Sequence, residues 1–355
     1  MECACEFTIC WRQTGNKQSG RNYGGYVIST SSAPGKLMLF GEHAVLQGYP
    51  CLVTSVDLRY QVSIATIKDP VISIQTPQLE NRCEYFSISI EDLSKDSLKQ
   101  DETKFVLAVL QEMVQRSGYR KGLRIQTNGP INSYGLGSSS AISVASVHAF
   151  AELFSMQLSL EDVFQTAYEA VLKVQKTGSG FDVAAAIYGG TIRYQIGKAI
   201  QKLNVDRMPL VIGFSGKKVS TVDLVDNVEK SKKRNPEVYK TFFQAIGEIT
   251  ETAQNALLEE DWRGLGRLAD RNQEVLENMC VSAPALERSI TAAKKAGAFG
   301  AKLSGAGGGD CMFAICNGSK IDVVEEALER AGTEIMHFDT NCEGVRQELF
   351  DPKYE

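Results

Sequence analysis

The sequence predicts an α+β protein of two domains, the first a mixture of strands and helices and the second rich in helices. Three observations predict it. Alternating, β-branched runs such as VISTSSAPGKLMLFGEH and PCLVTSVDLRYQVSIATI crowd the first part of the chain. Residues 221–297 carry apolar positions at helical spacing. The texture changes between residues 195 and 208, and a length of 355 residues is enough for two domains. The expected organisation is a disordered extension over 1–26, a first domain over 27–200 and a second over 201–355.

In chain order, the two long strand-like runs are followed by VISIQT and EYFSISI, which continue the alternation. TKFVLAVLQEMVQR has the spacing of an amphipathic helix, and GLRIQTNGPI reads as a strand closed by a turn. GLGSSSAISVASVHAFAELF is a loop feeding a helix of small residues. In SLEDVFQTAYEAVLKVQ, Ser159 and Asp162 have the spacing of a capping box. PLVIGFSG is a buried strand. Near the end, MFAIC and TEIMHF read as strands with the helix DVVEEALERAG between them.

Composition narrows the function. The chain is 43% hydrophobic and 23% charged, so it can build a core. A formal net charge of −5 offers no basic field for nucleic acid or a membrane surface. The apolar runs fall short of the ~20 residues that a membrane-spanning helix needs. The N-terminal segment lacks the basic and apolar regions of a secretory signal. Nine cysteines without a CxxC pair, beside three histidines, argue against a zinc site or a disulfide framework. Small core residues in a reducing cytoplasm are the expectation.

Three loops carry chemistry. Gly135, Leu136, Gly137, Ser138, Ser139 and Ser140 run into the small-residue helix. A helix N-terminus presents unpaired N–H groups and partial positive charge, and glycines let a ligand approach the backbone. A phosphate suits that setting. The alternative is a Gly/Ser turn before a packing helix, and the spacing is not that of a Walker A loop. SGAGGGD, residues 304–310, is a second glycine-rich loop, costly in backbone entropy for a mere turn. SAPGKLMLFGEHAVLQGYP, residues 32–50, sets Lys36 and Glu42 between strand-like runs.

APGKLMLFGEHAVLQG, GLGSSSA and KLSGAGGGDC, in this order, resemble the three signature motifs of the GHMP kinases, over roughly residues 29–345. The resemblance implies phosphorylation of a small metabolite with ATP and Mg2+. It implies an N-terminal α+β nucleotide domain and a C-terminal ferredoxin-like α+β domain, with the active site in the cleft between them. By the same resemblance Gly135 to Ser140 would wrap the ATP phosphates, with Ser139 at the magnesium. Lys36 and Asp182 would be catalytic. Ser179, Ser304, Gly305, Ala306, Gly307 and Gly308, with Gly309, would line the acceptor side.

The resemblance is to the mevalonate-pathway branch, which implies either 5-phosphomevalonate or mevalonate as acceptor. SGFDVAAAIYGG, the FSGKKVSTVDLV segment with Lys217 and Lys218, and Asp310 resemble phosphomevalonate kinases. That acceptor is the first expectation. GEHAVLQGYP, with His43 as a contact to the acceptor, resembles mevalonate kinases, which is the alternative. The glutamate that mevalonate kinases offer to magnesium would fall at Val171, with Glu169 on another side of the helix. Lys173, Lys176, Arg193 and Lys302 are further candidates for an acceptor phosphate, whereas His148 and His337 read as structural. Another small-molecule acceptor, or a silent binding module, completes the alternatives. A monomer or homodimer is expected, without nucleic-acid or membrane partners.

Overall fold

The computed structural model describes residues 21–23, 26–76, 86–93, 98, 103–130, 134–217 and 219–349. In chain order the first part contains β1 (Arg21–Tyr23), β2 (Tyr26–Phe40), β3 (Cys51–Ile67), β4 (Val71–Gln75), β5 (Phe86–Ser89), α1 (Lys104–Ser117), β6 (Gly122–Asn128), α2 (Ser138–Leu153), α3 (Leu160–Gln175), α4 (Phe181–Tyr188), β7 (Thr191–Tyr194) and β8 (Gln201–Leu203). The second part contains β9 (Leu210–Phe214), α5 (Thr221–Arg234), α6 (Pro236–Leu258), α7 (Trp262–Asn278), α8 (Pro284–Ala296), β10 (Gly300–Leu303), β11 (Cys311–Ile315), α9 (Ile321–Arg330), β12 (Glu334–Met336) and β13 (Arg346–Glu348).

The first sheet runs β1-β2-β3-β6-β4-β5. Its pairs are antiparallel except β4 with β6. β7 pairs with β3, and two segments beyond residue 200 also join it. β8 pairs with β7, and β13 pairs with β2, setting Arg346 opposite Ser32. Of the residues expected in an N-terminal extension, Arg21–Tyr23 form an edge strand on β2 and Tyr26 begins β2 itself. Residues 1–20, 24 and 25 lie outside the described residues.

Helices α1, α2 and α3 cover this sheet. Their apolar faces meet Val62, Ile64, Ile72 and Ile125 in one core. α2 is buried nearly all round, which its small residues allow. Its serines stay satisfied because Ser143 and Ser146 donate to the carbonyls of Ser139 and Ile142, at 2.9 and 2.8 Å. α3 begins at the expected capping box. Asp162 N–H donates to Ser159 Oγ, and Ser159 N–H donates to Asp162.

The second sheet runs β10-β11-β9-β12, all antiparallel, with α5 to α8 between β9 and β10 and α9 between β11 and β12. That is the ferredoxin-like arrangement. β11 is buried on both faces, as a near-continuous apolar run requires. Cys311, Phe313 and Ile315 pack with Leu37, Leu39, Phe40 and Leu52 of the first domain. Met312 and Ala314 face a separate core with Leu286 and Ile290 of α8. The two domains therefore share one apolar core along β2 and β11. Among the described residues no helix is long and apolar enough to cross a membrane.

α7 and β10 touch backbone to backbone. A Cβ placed on Gly300 would lie 1.9 Å from the Gly266 carbonyl oxygen. Gly300→Ala is expected to destabilise the protein by about 1–3 kcal/mol. A lowered thermal midpoint in calorimetry checks it.

Candidate active site

Lys36 lies on β2 just past a register shift at Pro34 and Gly35. Gly35 allows β2 to run against the loop before α2, since a Cβ there would meet the Leu136 carbonyl oxygen at 2.9 Å. Lys36 N–H donates to that carbonyl at 2.8 Å, and Lys36 Nζ donates to Gly135 O at 3.1 Å. The same ammonium is 3.5 Å from Asp182 Oδ1 and 5.4 Å from the Phe181 ring centroid. Lys36 is thereby held from three sides, with its charge aimed between the loop and α4.

The loop before α2 has the conformation that its glycines predict. Gly135 and Gly137 take φ of 75° and 84°. Gly137 is the N-cap of α2, and no side chain caps the helix. The first-turn N–H groups thus remain available, with Ser138, Ser139 and Ser140 beside them. Asp182 lies in the first turn of α4, after Gly180 at φ 88°.

The third loop is fastened to the other two. Ser304 Oγ donates to Met38 O at 2.8 Å and accepts from Met38 N–H at 3.1 Å. His43 Nε2 donates to Ala306 O at 2.9 Å, which fixes the tautomer with the proton on Nε2. Burial lowers the His43 pKa, opposed by that hydrogen bond and by Glu229, so the ring is neutral near pH 7. The Asp310 carboxylate packs on Gly135. Beneath these loops Glu42 and Lys302 form an ion pair with both side chains fully buried. Lys302 also donates to Leu303 O at 2.7 Å and lies 5.6 and 5.3 Å from the Phe40 and Phe313 ring centroids. Burial raises the Glu42 pKa and lowers that of Lys302, each against the pull of its partner.

Lys36, His43, Gly135, Gly137, Ser138, Ser139, Ser140, Ser179, Asp182, Ser304, Gly305 and Ala306 line one cavity of about 240 Å3. Other residues expected at the site sit elsewhere. Leu136 is in the shared core, and it is its carbonyl that serves Lys36. Gly307 and Gly308 pack against Val281 and Leu224, and a Cβ on Gly309 would meet Lys217 O at 2.4 Å. They allow close packing of the loop and do not line the cavity. The Lys217 side chain is exposed and also outside the lining, and Lys218 lies outside the described residues.

Of the further cations, Lys302 is buried with Glu42, Arg193 pairs with Glu251 at 2.7 Å, and Lys173 pairs with Glu112. Lys176 caps α3 with its side chain exposed. Val171 does line the cavity, whereas Glu169 accepts from Gln165 Nε2 and stays outside. His148 is hydrogen-bonded to Ser31 Oγ at 2.9 Å, and His337 is exposed beside Glu325. Sequence reasoning missed the wall formed by Tyr168, Thr221, Val222 and Val225. The Ser220 cap on Asp223 N–H was the available signal for the start of α5.

Among the described residues no group of three His, Cys, Asp or Glu side chains gathers to hold a metal. The residues lining the cavity that could offer a hard oxygen include the serines at the start of α2, Ser139 among them, and the carboxylates of Asp182 and Asp310. Such a donor set suits Mg2+ bound largely through nucleotide phosphates and water.

The chain matches the family model for the GHMP kinases N terminal domain over residues 104–190 and the model for GHMP kinases C terminal over residues 253–334. It is 32% identical over 327 residues to the mevalonate kinase of Thermococcus sibiricus, covering 90% of this chain and 98% of that one. The chain belongs to the GHMP kinase family. Among solved folds, the Methanococcus jannaschii mevalonate kinase superposes with a TM-score of 0.75 at 24% identity, over 90% of this chain and 99% of that one. The Streptococcus pneumoniae phosphomevalonate kinase, solved with phosphomevalonate and AMPPNP, superposes with a TM-score of 0.72 at 17% identity, over 88% and 99%. This GHMP kinase therefore has the two-domain fold of its family, with all three motifs around one cavity.

Removing one partner of the buried pair, by Glu42→Gln or Lys302→Met, is expected to cost about 3–5 kcal/mol, and the double variant Glu42→Leu/Lys302→Met less than either. Urea denaturation midpoints of the three variants check this. His43 adds a pH dependence. Its folded pKa lies below the ordinary 6.5, so the unfolded chain takes the proton first as pH falls. Stability is then lost below about pH 6.5, and the gap between wild type and His43→Gln narrows from pH 7 to 5. A constant gap would remove His43 from the acid response.

Proposed function

We propose that this GHMP kinase transfers the γ-phosphoryl group of ATP to the hydroxyl of mevalonate. The observation that carries this reading is the charge of the cavity. Lys36 is the one cation among its described lining residues, and His43 is neutral. Met38, Val45, Leu46, Val222 and Val225 supply an apolar wall. A small acceptor with a hydrocarbon body and few charges fits that lining better than one bearing a phosphate. A second phosphate beside ATP calls for more cations than one lysine. The relatives named mevalonate kinase, at about one-third identity over nine-tenths of the chain, support the same acceptor.

In this reading the N–H groups at the start of α2 receive the nucleotide phosphates and Lys36 meets the charge that develops on the transferred group. Asp182 orients Lys36 and takes the proton of the acceptor hydroxyl. Ser139 is the residue that would hold Mg2+, whose chemistry there is to offset charge on the β- and γ-phosphates.

A second reading, transfer to 5-phosphomevalonate, rests on one feature of the cavity rim. Asp310 N–H donates to Lys217 O at 2.7 Å, which ties Lys217 to the third loop. Release of ADP with ATP and Mg2+, measured in parallel on mevalonate and 5-phosphomevalonate, separates the two. Turnover of mevalonate is expected, and turnover of 5-phosphomevalonate alone would reverse the order. On the acceptor that is used, Asp182→Asn is expected to lower kcat by about a hundredfold. Unchanged kcat would remove Asp182 from the chemistry.

A further inference from the structure

The segment that delivers Asp182 to the cavity, Thr177–Gly180, is held by two tyrosines from different elements. Tyr168 of α3 donates its hydroxyl to Gly178 O at 2.7 Å. Tyr194 of β7 donates to Ser179 O. Phe164 lies between them, 5.6 Å from the Tyr168 ring centroid and 6.4 Å from that of Tyr194. The three rings close around Gly180, where a Cβ would lie 3.0 Å from Tyr194 Oη, 3.1 Å from Phe164 and 3.3 Å from Tyr168.

Two consecutive carbonyls are thus pinned, and a trans peptide sends the N–H of the next residue the opposite way. The hydroxyls therefore set the directions of the Ser179 and Gly180 N–H groups as well. Gly180, at φ 88°, then turns the chain into α4, where Asp182 is the second residue. α4 has no side-chain cap and only eight residues, so little within the helix fixes where its first turn begins. Tyr194 is buried, and burial raises its pKa, so its hydroxyl keeps the proton that it donates. The aromatic rings alone would fill the same space. The hydroxyls add direction.

We propose that Tyr194 and Tyr168 are positioning residues for phosphoryl transfer, acting through the Gly178 and Ser179 carbonyls to hold the Asp182 carboxylate against Lys36. This rests on the reading of Asp182 as the group that orients Lys36 and the acceptor. Tyr194 carries the larger share, because its ring is buried while that of Tyr168 is partly open to the cavity. In the proposed function the nucleotide phosphates are received by α2, a different element, so binding of ATP would not pass through this clamp.

The test removes the hydroxyls and leaves the rings, with Tyr194→Phe, Tyr168→Phe and each of these combined with Asp182→Asn. Steady-state kinetics use whichever acceptor the wild-type enzyme phosphorylates, so the choice of acceptor is decided separately. Tyr194→Phe is expected to lower kcat by about tenfold or more while KM for ATP stays within about twofold. In the Asp182→Asn background the same substitution is expected to change kcat by less than about twofold, because the group being positioned is gone. Hydrogen exchange over residues 177–183 is expected to quicken in Tyr194→Phe, while α2 is unaltered. That measurement needs no acceptor and decides the structural half even for an enzyme inactive on both candidates. A kcat within twofold of wild type, a loss that multiplies with that of Asp182→Asn, or unchanged exchange over 177–183 would each overturn the proposal.

Discussion

The first and third loops of the candidate site meet around one buried ion pair. Glu42 follows β2 in the first domain and Lys302 lies on β10 in the second, with no exposed surface on either side chain. Each group is pushed by burial toward its neutral form, and each is held by the other. The pair is fenced by Phe40 and Phe313, so water does not weaken it. Next to Glu42 in the chain is His43, in an unusual backbone conformation at φ 58°, with its ring hydrogen-bonded to Ala306. Next to Lys302 are Leu303 and Ser304, the latter gripping both backbone groups of Met38. The charge contact and these hydrogen bonds together set the register between the first and third loops, and the apolar core around them supplies most of the stability.

The second loop is tied in by main-chain geometry. Lys36 gives its backbone N–H to Leu136 and its side chain to Gly135, so one residue of β2 spaces the turn before α2 from the sheet. Asp182 then meets the same ammonium from α4. Lys36 thus bridges the turn before α2 and the start of α4. Its position is over-determined by backbone, side chain and ring contacts.

Much of this was legible in the sequence because the signals are local. The turn at Gly135 to Ser140, the box of Ser159 and Asp162, and the alternation in β2 and β3 are each written within a few residues. The buried partnership of Lys302 was not legible. Its carboxylate lies 260 positions away, and a lysine in a glycine-rich neighbourhood reads as a phosphate ligand. Gly307 and Gly308 mislead for a related reason, because glycine serves close packing against Val281 and Leu224 as readily as it serves a ligand. The tyrosines around Gly180 gave no sign either, since an aromatic at helical spacing or in a strand reads as core. Arg21–Tyr23 joined a sheet because the edge of β2 was open to it, which no composition reveals.

The return of β13 to β2 has a consequence for how this molecule comes into being. Ser32 and its neighbours on β2 wait for Arg346 and Glu348, with the whole second domain between them in the chain. During synthesis the ribosome delivers β2 early and its partner late. The first domain must therefore pass through a period with that stretch of edge uncovered, when other strands could pair with it. The sheet of the first domain is complete only after its neighbour has been made.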